Sequence, residues 1–165
     1  MRRKEIFVLA ERCMGCHSCE LACATAHTTD RNLHAAVLRG ERPFAYLWVD
    51  KFGAQRVPTV CKHCLRAPCV EVCPTGAMHK APDTTTICDH SQCIGCWMCT
   101  FACPFGACDR GDGQVLKCDR QCLDEEGVPA CVRACPTGAL LWMTVEEFAA
   151  ERRKPRRRVA AAAAG

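Results

Sequence analysis

Hydrophobic residues along this protein occur in short runs, and the pattern predicts short elements. Residues 45–60 alternate loosely, with Tyr46 and Trp48 on one side and Leu47 and Val49 on the other. A period of two with a glycine near its centre predicts a hairpin or a pair of short strands. Short helices are predicted at 18–27, 67–73, 96–103 and 129–135. A Thr144–Glu147 capping box predicts a further helix at 145–153.

Three six-residue segments repeat without gaps, namely Cys73–Met78, Cys103–Cys108 and Cys135–Leu140. Each has a Cys-Pro pair, a glycine turn and an apolar residue at the start of a strand. The repeat unit is therefore a cysteine loop, a short helix ending near Cys-Pro and a short strand.

No stretch approaches the roughly 20 apolar residues of a membrane span. The apolar run behind the basic first residues, Ile6–Ala10, is too short for the core of a signal peptide. We therefore expect a cytoplasmic protein in a reducing, anaerobic cell, peripheral to the inner membrane only through a partner.

Cysteine accounts for 18 of the 165 residues, and sixteen of these form four groups of four. The groups are Cys13, Cys16, Cys19, Cys23; Cys61, Cys64, Cys69, Cys73; Cys93, Cys96, Cys99, Cys103; and Cys118, Cys122, Cys131, Cys135. The first and third have the C-x2-C-x2-C-x3-C spacing of a bacterial ferredoxin with two clusters, and proline follows the last cysteine of the second, third and fourth groups. The pattern predicts four [4Fe–4S] clusters. A secreted disulfide scaffold or a set of zinc sites fits the spacing less well.

The composition leaves little material for a large core, with eleven Gly, nine Pro and ten aromatic residues. The clusters would then act as staples, and the chain without them should fold poorly. Four clusters, each with net charge −2 together with its thiolates, would lower the formal charge of +4 by eight.

The order of the groups predicts an α+β fold built from two bacterial-ferredoxin-like dicluster modules, one inserted within the other, with a small core, short helices and short antiparallel strands. Residues 1–30 and 111–143 would form the split outer module, 31–60 a connecting segment with the hairpin, and 61–110 the inserted module. Residues 144–165 would form a helix and a basic disordered tail.

In such a module the fourth cysteine of each group reaches the other cluster of its pair. This predicts a first site of Cys13, Cys16, Cys19 with Cys135, and a second of Cys61, Cys64, Cys69 with Cys103. The third would be Cys93, Cys96, Cys99 with Cys73, and the fourth Cys118, Cys122, Cys131 with Cys23.

Several residues near the loops invite a functional or a packing interpretation. Cys88 and Cys108 are expected at buried apolar positions rather than as a redox pair. The imidazoles of His17, His63 and His90 are expected at the surface or behind the ligands. Trp97 and Met98 would shield the third site or face a partner. The basic stretch at 151–158 is expected to be a solvated tail, although it could dock an acidic partner.

With these groups in place, the chain resembles the four-cluster iron–sulfur electron-transfer subunits of dimethyl sulfoxide reductases, formate dehydrogenases and hydrogenases. The resemblance rests on CMGCHSCELACA, CKHCLRAPCVEVCPTGA, CIGCWMCTFACPFGA and PACVRACPTGAL. The CIGCWMC loop and the small size are most similar to the ferredoxin-like partner of nickel carbon monoxide dehydrogenase. That resemblance implies electron delivery from this enzyme to an acceptor such as a membrane-associated hydrogenase.

We find no catalytic constellation and no nucleic-acid-binding fold, so the sequence predicts an electron carrier with no active site of its own and no nucleic-acid partner. A molybdenum or tungsten oxidoreductase is the alternative partner, and a structural or sensory metal protein the alternative class.

Two departures from the family bear on the fourth site. Cys118 and Cys122 are separated by three residues instead of two, and Ala24 replaces the proline after Cys23. We therefore expect the fourth site to be the least secure.

Overall fold

The computed structural model of this protein describes residues 3–153 and has an α+β fold made of short elements. The helices are α1 (Ser18–Ala26), α2 (Leu33–Leu38), α3 (Pro68–Glu71), α4 (Met98–Ala102), α5 (Ala130–Arg133) and α6 (Val145–Arg153). The strands are β1 (Glu5–Val8), β2 (Trp48–Phe52), β3 (Gln55–Thr59), β4 (Met78–Lys80), β5 (Thr86–Cys88), β6 (Asp109–Arg110), β7 (Val115–Leu116) and β8 (Leu140–Met143). The tail that was expected to be disordered lies outside the described residues from position 154 onwards.

The strands form four separate antiparallel pairs, β1 with β8, β2 with β3, β4 with β5 and β6 with β7. In the β2–β3 hairpin, Trp48 lies opposite Thr59, and Gly53 makes the turn with φ +60°. This confirms the hairpin predicted at 45–60. The β1–β8 pair joins segments more than 130 residues apart, with Ile6 opposite Trp142.

The five predicted helices are present, with shorter spans at α3, α4 and α5. The capping box of α6 forms as expected, because Glu147 N–H donates to Thr144 Oγ1 at 3.2 Å and Thr144 N–H donates to the Glu147 carboxylate at 2.8 Å. Helix α2 was not predicted. Its signal was Asn32, whose side chain caps the helix by accepting from Ala35 N–H at 3.1 Å.

The core is divided into three small apolar clusters, and cysteines belong to all of them. One lies between the β1–β8 pair and helices α1 and α5, around Ile6, Leu140 and Cys131. Another surrounds Met78 and Val115, and the third contains Cys61, Ala107 and Cys118. The nested-module organisation, with boundaries at 30, 60, 110 and 143, stays a prediction. Within residues 3–153, no helix has the length and apolar character needed to cross a bilayer.

Candidate iron–sulfur sites

All four cysteine loops contain the same backbone turn. The second residue after the first cysteine has left-handed φ in each loop: Gly15 at +72°, His63 at +46°, Gly95 at +65° and Arg120 at +59°. Only glycine adopts this region freely, and other residues lose about 1–2 kcal/mol there. The extra residue between Cys118 and Cys122 therefore follows this turn and leaves its conformation intact. The sequence showed the two glycines but gave no signal that a histidine and an arginine occupy the equivalent positions.

Two of the predicted cysteine sets line cavities. Cys13, Cys16, Cys19 and Cys135 surround one with an empty volume of about 300 Å³, including space open to solvent. Cys73, Cys93, Cys96 and Cys99 surround the other, of about 350 Å³, together with Cys88. In each case three thiols come from one loop and the fourth from a distant group. That these sets hold the first and third clusters stays a prediction.

The cysteines predicted for the second site also lie together. Burial raises the pKa of Cys64, and the neighbouring charges of Cys61, Cys69 and Cys103 raise it further. Cys103 is brought there from the third group by helix α4, which ends one residue before it.

The cysteines predicted for the fourth site are the most enclosed of the four sets. Burial raises the pKa of Cys131 strongly, and the charges of Cys118, Cys122 and Cys23 raise it further. All four thiols are buried, since none of these residues is more than 6% exposed. Helices α1 and α5 pack together and bring Cys23 to the last group.

The fourth cysteine of every group accepts a backbone N–H bond at sulfur. The donors are Tyr46 to Cys23 at 3.3 Å, Met78 to Cys73 at 3.3 Å, Ala107 to Cys103 at 3.3 Å and Ala139 to Cys135 at 3.2 Å. Burial opposes ionisation of Cys73 and Cys135, but hydrogen bonds from backbone N–H groups and from the hydroxyls of Thr75 and Thr137 outweigh it and lower both pKa values. The Cys108 thiol and the Ala107 N–H lower the pKa of Cys103 to about 5. The Cys-Pro-x-Gly repeat thus turns the backbone so that an amide stabilises a thiolate.

Cys23 lacks the following proline, and its donor comes from a different part of the sequence. Tyr46 supplies the N–H, and its ring packs on the ring of His27 with centroids 4.2 Å apart. His27 Nδ1 lies 3.7 Å from the Cys23 sulfur, and its Nε2 lies 3.1 Å from the carboxylate of Asp119. Burial disfavours the charged ring, but the bonds to Asp119 and Cys23 raise the pKa of His27 to about 11.

Asp119 belongs to the lengthened Cys118–Cys122 loop, and His27 lies three residues after Ala24. The bond between His27 and Asp119 therefore joins the two segments in which this sequence departs from the family. All four thiols beside this contact are buried, and the lower security expected of the fourth site stays a prediction.

The four thiol sets, together with the buried hydrogen-bond donors of this protein, fit a bulky sulfur-containing anion. Several buried donors have no protein partner in the described residues, among them Nε2 of His63 and both Nε and Nη2 of Arg120. Buried donors usually find an acceptor, and inorganic sulfide and thiolate can serve as one. Among residues 3–153, no three His, Cys, Asp or Glu side chains are arranged around a point suited to a single metal ion.

The remaining candidates lie close to these sites. Cys108 is buried as expected, with its thiol in hydrogen-bonding range of Cys69, Cys99 and Cys103. Cys88 is half-buried beside the third site, where burial raises its pKa to about 12. Trp97 is half-buried and Met98 is 49% exposed.

The three histidines of the loops differ in exposure. His17 is exposed and bonds Glu20 at 2.9 Å, and His90 is exposed. His63 is 1% exposed, and burial together with nearby cations lowers its pKa to about 2, so the ring is neutral. Its Nδ1 accepts from Thr86 N–H at 3.1 Å.

Several known proteins are similar in sequence to this one. The electron transport protein HydN of Escherichia coli is similar along nearly its whole length, with 35% identity over 170 residues that cover 90% of this chain and 95% of HydN. The B subunit of the anaerobic dimethyl sulfoxide reductase of Escherichia coli is 35% identical over 152 residues, which cover 86% of this chain and 74% of that protein. The putative oxidoreductase UacF of Escherichia coli is 40% identical over 141 residues, or 83% of this chain, and the match spans only 21% of the length of UacF.

A family match covers more than half of the sequence. Residues 53–145, which contain the second, third and fourth cysteine groups, match the family described as a 4Fe-4S dicluster domain. The similarity to the relatives extends beyond this range, to 90% of this chain in HydN. This protein belongs to the 4Fe-4S dicluster family of iron–sulfur electron-transfer proteins.

Proposed function

We propose that the protein is the electron-transfer subunit of an oxidoreductase complex, with sixteen cysteines that hold four [4Fe–4S] clusters and no active site of its own. The observation that carries this proposal is the composition of the four thiol sets, each of three thiols from one loop and a fourth from a distant group. When bound, the clusters supply one-electron exchange, and the protein sets their spacing and burial.

We infer the order first, fourth, second, third for the four sites along a row. Three contacts support it. The charge of Cys19 in the first site acts on Cys131 in the fourth. Cys118 in the fourth site packs with Cys61 in the second. The thiol of Cys108 contacts Cys103 of the second site and Cys99 of the third. The first and third sites are then the two ends of the row.

The solvent exposure of the cysteines at the four sites agrees with this order. Cys16 and Cys96, in the two end sites, are exposed, as are Met14 and Ile94 beside them. At the two inner sites six of the eight cysteines are buried and two, Cys64 and Cys103, are half-buried, which would limit access of oxygen and water. Electrons would therefore enter at one end, pass through the inner sites and leave at the other.

Metal analysis of anaerobically prepared full-length protein tests the proposal. We expect about sixteen iron atoms and sixteen sulfides per chain, with an EPR spectrum of the dithionite-reduced protein that shows interacting clusters. About four zinc atoms and no iron would remove the electron-transfer function and favour a structural or sensory metal protein.

We further propose a carbon monoxide dehydrogenase as the electron donor and a membrane-associated hydrogenase as the acceptor. The support is the resemblance of the CIGCWMC loop region and of the overall cysteine pattern to that family's partner protein. The purified protein should be reduced when both carbon monoxide and the dehydrogenase are added, and with neither alone. No reduction in the full mixture would reject this partner.

A molybdenum or tungsten oxidoreductase is the second candidate partner. It is favoured by the 35% identity to the B subunit of dimethyl sulfoxide reductase over most of both proteins. In that case the reduced protein would be reoxidised by a catalytic subunit in the presence of dimethyl sulfoxide, or the oxidised protein reduced in the presence of formate. Copurification from native cells under anaerobic conditions distinguishes the two partners.

A further inference from the structure

Lys117 is a buried lysine at the junction of the two inner sites. It follows β7, directly precedes Cys118 and is only 5% exposed. Its ammonium group donates to the backbone carbonyls of Thr86 and Cys118, the latter at 2.8 Å. In the described part of the sequence, no carboxylate lies within ion-pair distance of it.

A buried ammonium that bonds only carbonyls is costly, because burial removes its hydration and no opposite charge replaces it. The neighbouring side chains increase the excess of positive charge in this region. Arg120 is 9% exposed, and two of its nitrogens have no hydrogen-bond partner among residues 3–153. Lys80 and Arg3 both donate to the carbonyl of His63 in the same region. Burial and then these neighbouring cations lower the pKa of Arg120 and of Lys80.

The anionic groups that face this region are thiols. Lys117 lies within electrostatic range of Cys69 and Cys103, which belong to the second site, and of Cys118, which belongs to the fourth. One ammonium therefore acts on two sites, and these are the two that meet between the halves of the protein through Cys61 and Cys118.

We propose that Lys117 is a positioning residue for electron transfer, whose fixed positive charge makes the two inner clusters easier to reduce and so assists passage between the two halves of the row. The proposal rests on the function proposed above. One electron added to an inner site raises its negative charge by one, with no bond formed or broken, and leaves again to the next site. A nearby cation stabilises the more negative form, and burial strengthens the effect.

The main alternative is that Lys117 only satisfies the carbonyls of Thr86 and Cys118. Replacement of Lys117 by a neutral side chain that still donates hydrogen bonds distinguishes the electrostatic role from the hydrogen-bonding role. Lys117→Gln removes the charge and keeps donors for the carbonyls, Lys117→Met removes both, and Lys117→Arg keeps both. Lys51→Gln, at an exposed position on β2, is the matched control for loss of one positive charge.

The measurement is an EPR-monitored redox titration of the full-length protein with its clusters. The signals of the end sites are identified by their loss in Cys16→Ser and Cys96→Ser. In Lys117→Gln and Lys117→Met, the ratio of reduced to oxidised cluster at a fixed solution potential should fall about tenfold at both inner sites, a shift of about 59 mV for a one-electron couple. The end sites, Lys117→Arg and Lys51→Gln should stay close to the original protein.

Unchanged inner potentials in Lys117→Gln would overturn the proposal. If the neutral variants lose the inner clusters while Lys117→Arg keeps all four, the charge is needed to hold these anions, which supports it. Equal loss in Lys117→Arg would overturn it, since the charge is then not the active property. Iron counting on the original protein is done first, and fewer than four clusters there would reject the proposed function instead.

Discussion

The first and third cysteine loops, the proposed end sites, share one backbone turn with the second and fourth loops, the proposed inner sites, but differ in what surrounds it. In the end sites the turn residue is Gly15 or Gly95, and the residue before it is an exposed apolar side chain, Met14 at 66% or Ile94 at 67%. In the inner sites the turn residue is His63 or Arg120, both buried. The same backbone turn after the first cysteine therefore occurs in two different environments.

Crowding explains why the end sites keep glycine. A Cβ at position 95 would lie 2.5 Å from the carbonyl oxygen of Gly113, and one at position 15 would lie 2.8 Å from Cγ of Arg56. The inner turns have room for a side chain, and both side chains there are buried. Arg120 there lies over the ring of Trp142, with its guanidinium carbon 5.2 Å from the ring centroid. The difference is that exposed apolar side chains precede the glycine turns of the first and third loops, whereas buried side chains occupy the turns of the second and fourth.

Removal of one ligand from each environment should separate the two kinds of site most strongly. Cys131→Ser removes a 2%-exposed thiol that packs with Ile6 and Leu140, so we expect almost no folded holoprotein. Cys96→Ser removes an exposed thiol at an end site and should leave about three-quarters of the iron. Iron per chain, soluble yield and far-UV circular dichroism measure this. Equal yields from the two variants would contradict the comparison.

The glycine turn of the third site should be the next most sensitive position. Gly95→Ala adds left-handed strain and a clash with a backbone oxygen, which together cost about 2–3 kcal/mol. This corresponds to a fall in Tm of roughly 4–12 °C. Gly138→Ala is the control, because φ is +61° but no atom lies within 4 Å of the new Cβ. Thermal unfolding should show a clearly smaller loss there; similar losses would mean that strain alone accounts for the effect.

The contact between His27 and Asp119 tests whether the lengthened loop is integral to the fourth site. Asp119→Ala leaves a half-buried imidazole nitrogen without its carboxylate, which we expect to cost about 1–3 kcal/mol. The visible absorbance should then be lost faster in the presence of an iron chelator. Asp30→Ala removes the exposed ion pair with Arg39 and should leave that rate unchanged. A chelation rate for Asp119→Ala equal to that of the control would refute the role.

The smallest effect on stability is expected at the exposed apolar side chains of the loops. Ile94→Ser should change the free energy of unfolding by no more than about 0.5 kcal/mol, yet slow electron exchange with the copurifying catalytic subunit. Leu65→Ser, at an 81%-exposed position beside an inner site, is the control. Stopped-flow absorbance measures the rates. If Leu65→Ser slows exchange as much as Ile94→Ser, the third site is not a preferred end of the row.

Much of the local structure could be predicted because its causes lie close together in the sequence. Alternation around Gly53 predicted the hairpin, and the Thr144–Glu147 pair predicted the last helix. The predicted helices near the second and fourth groups were too long. They shrink to α3 and α5, single turns whose ends are set by the loops around their cysteines. Helix α2 was missed because its only marker was one capping asparagine.

The sites were predictable to the extent that their chemistry depends on spacing. The repeat of Cys-Pro-x-Gly marked the fourth cysteine of three groups, and the amides that bond those sulfurs follow within five residues. No such signal existed for Cys23, because Tyr46, His27 and Asp119 reach it from three separate segments. From sequence, the departures at Ala24 and in the Cys118–Cys122 loop predict a less secure site; the structure adds that His27, three residues after Ala24, contacts Asp119 of that loop.

The amino-acid sequence by itself determined the number and spacing of the cysteines, and with them the family and the expected cofactor. These properties depend on residues a few positions apart, which short-range geometry constrains. Only the tertiary structure decided which thiols are exposed and that His63 and Arg120 take the place of glycine. It also decided that Lys117 lies between two thiol sets with no carboxylate of residues 3–153 in ion-pair range. Burial and electrostatic surroundings are produced by segments tens of residues apart, so they exist only once the protein has folded.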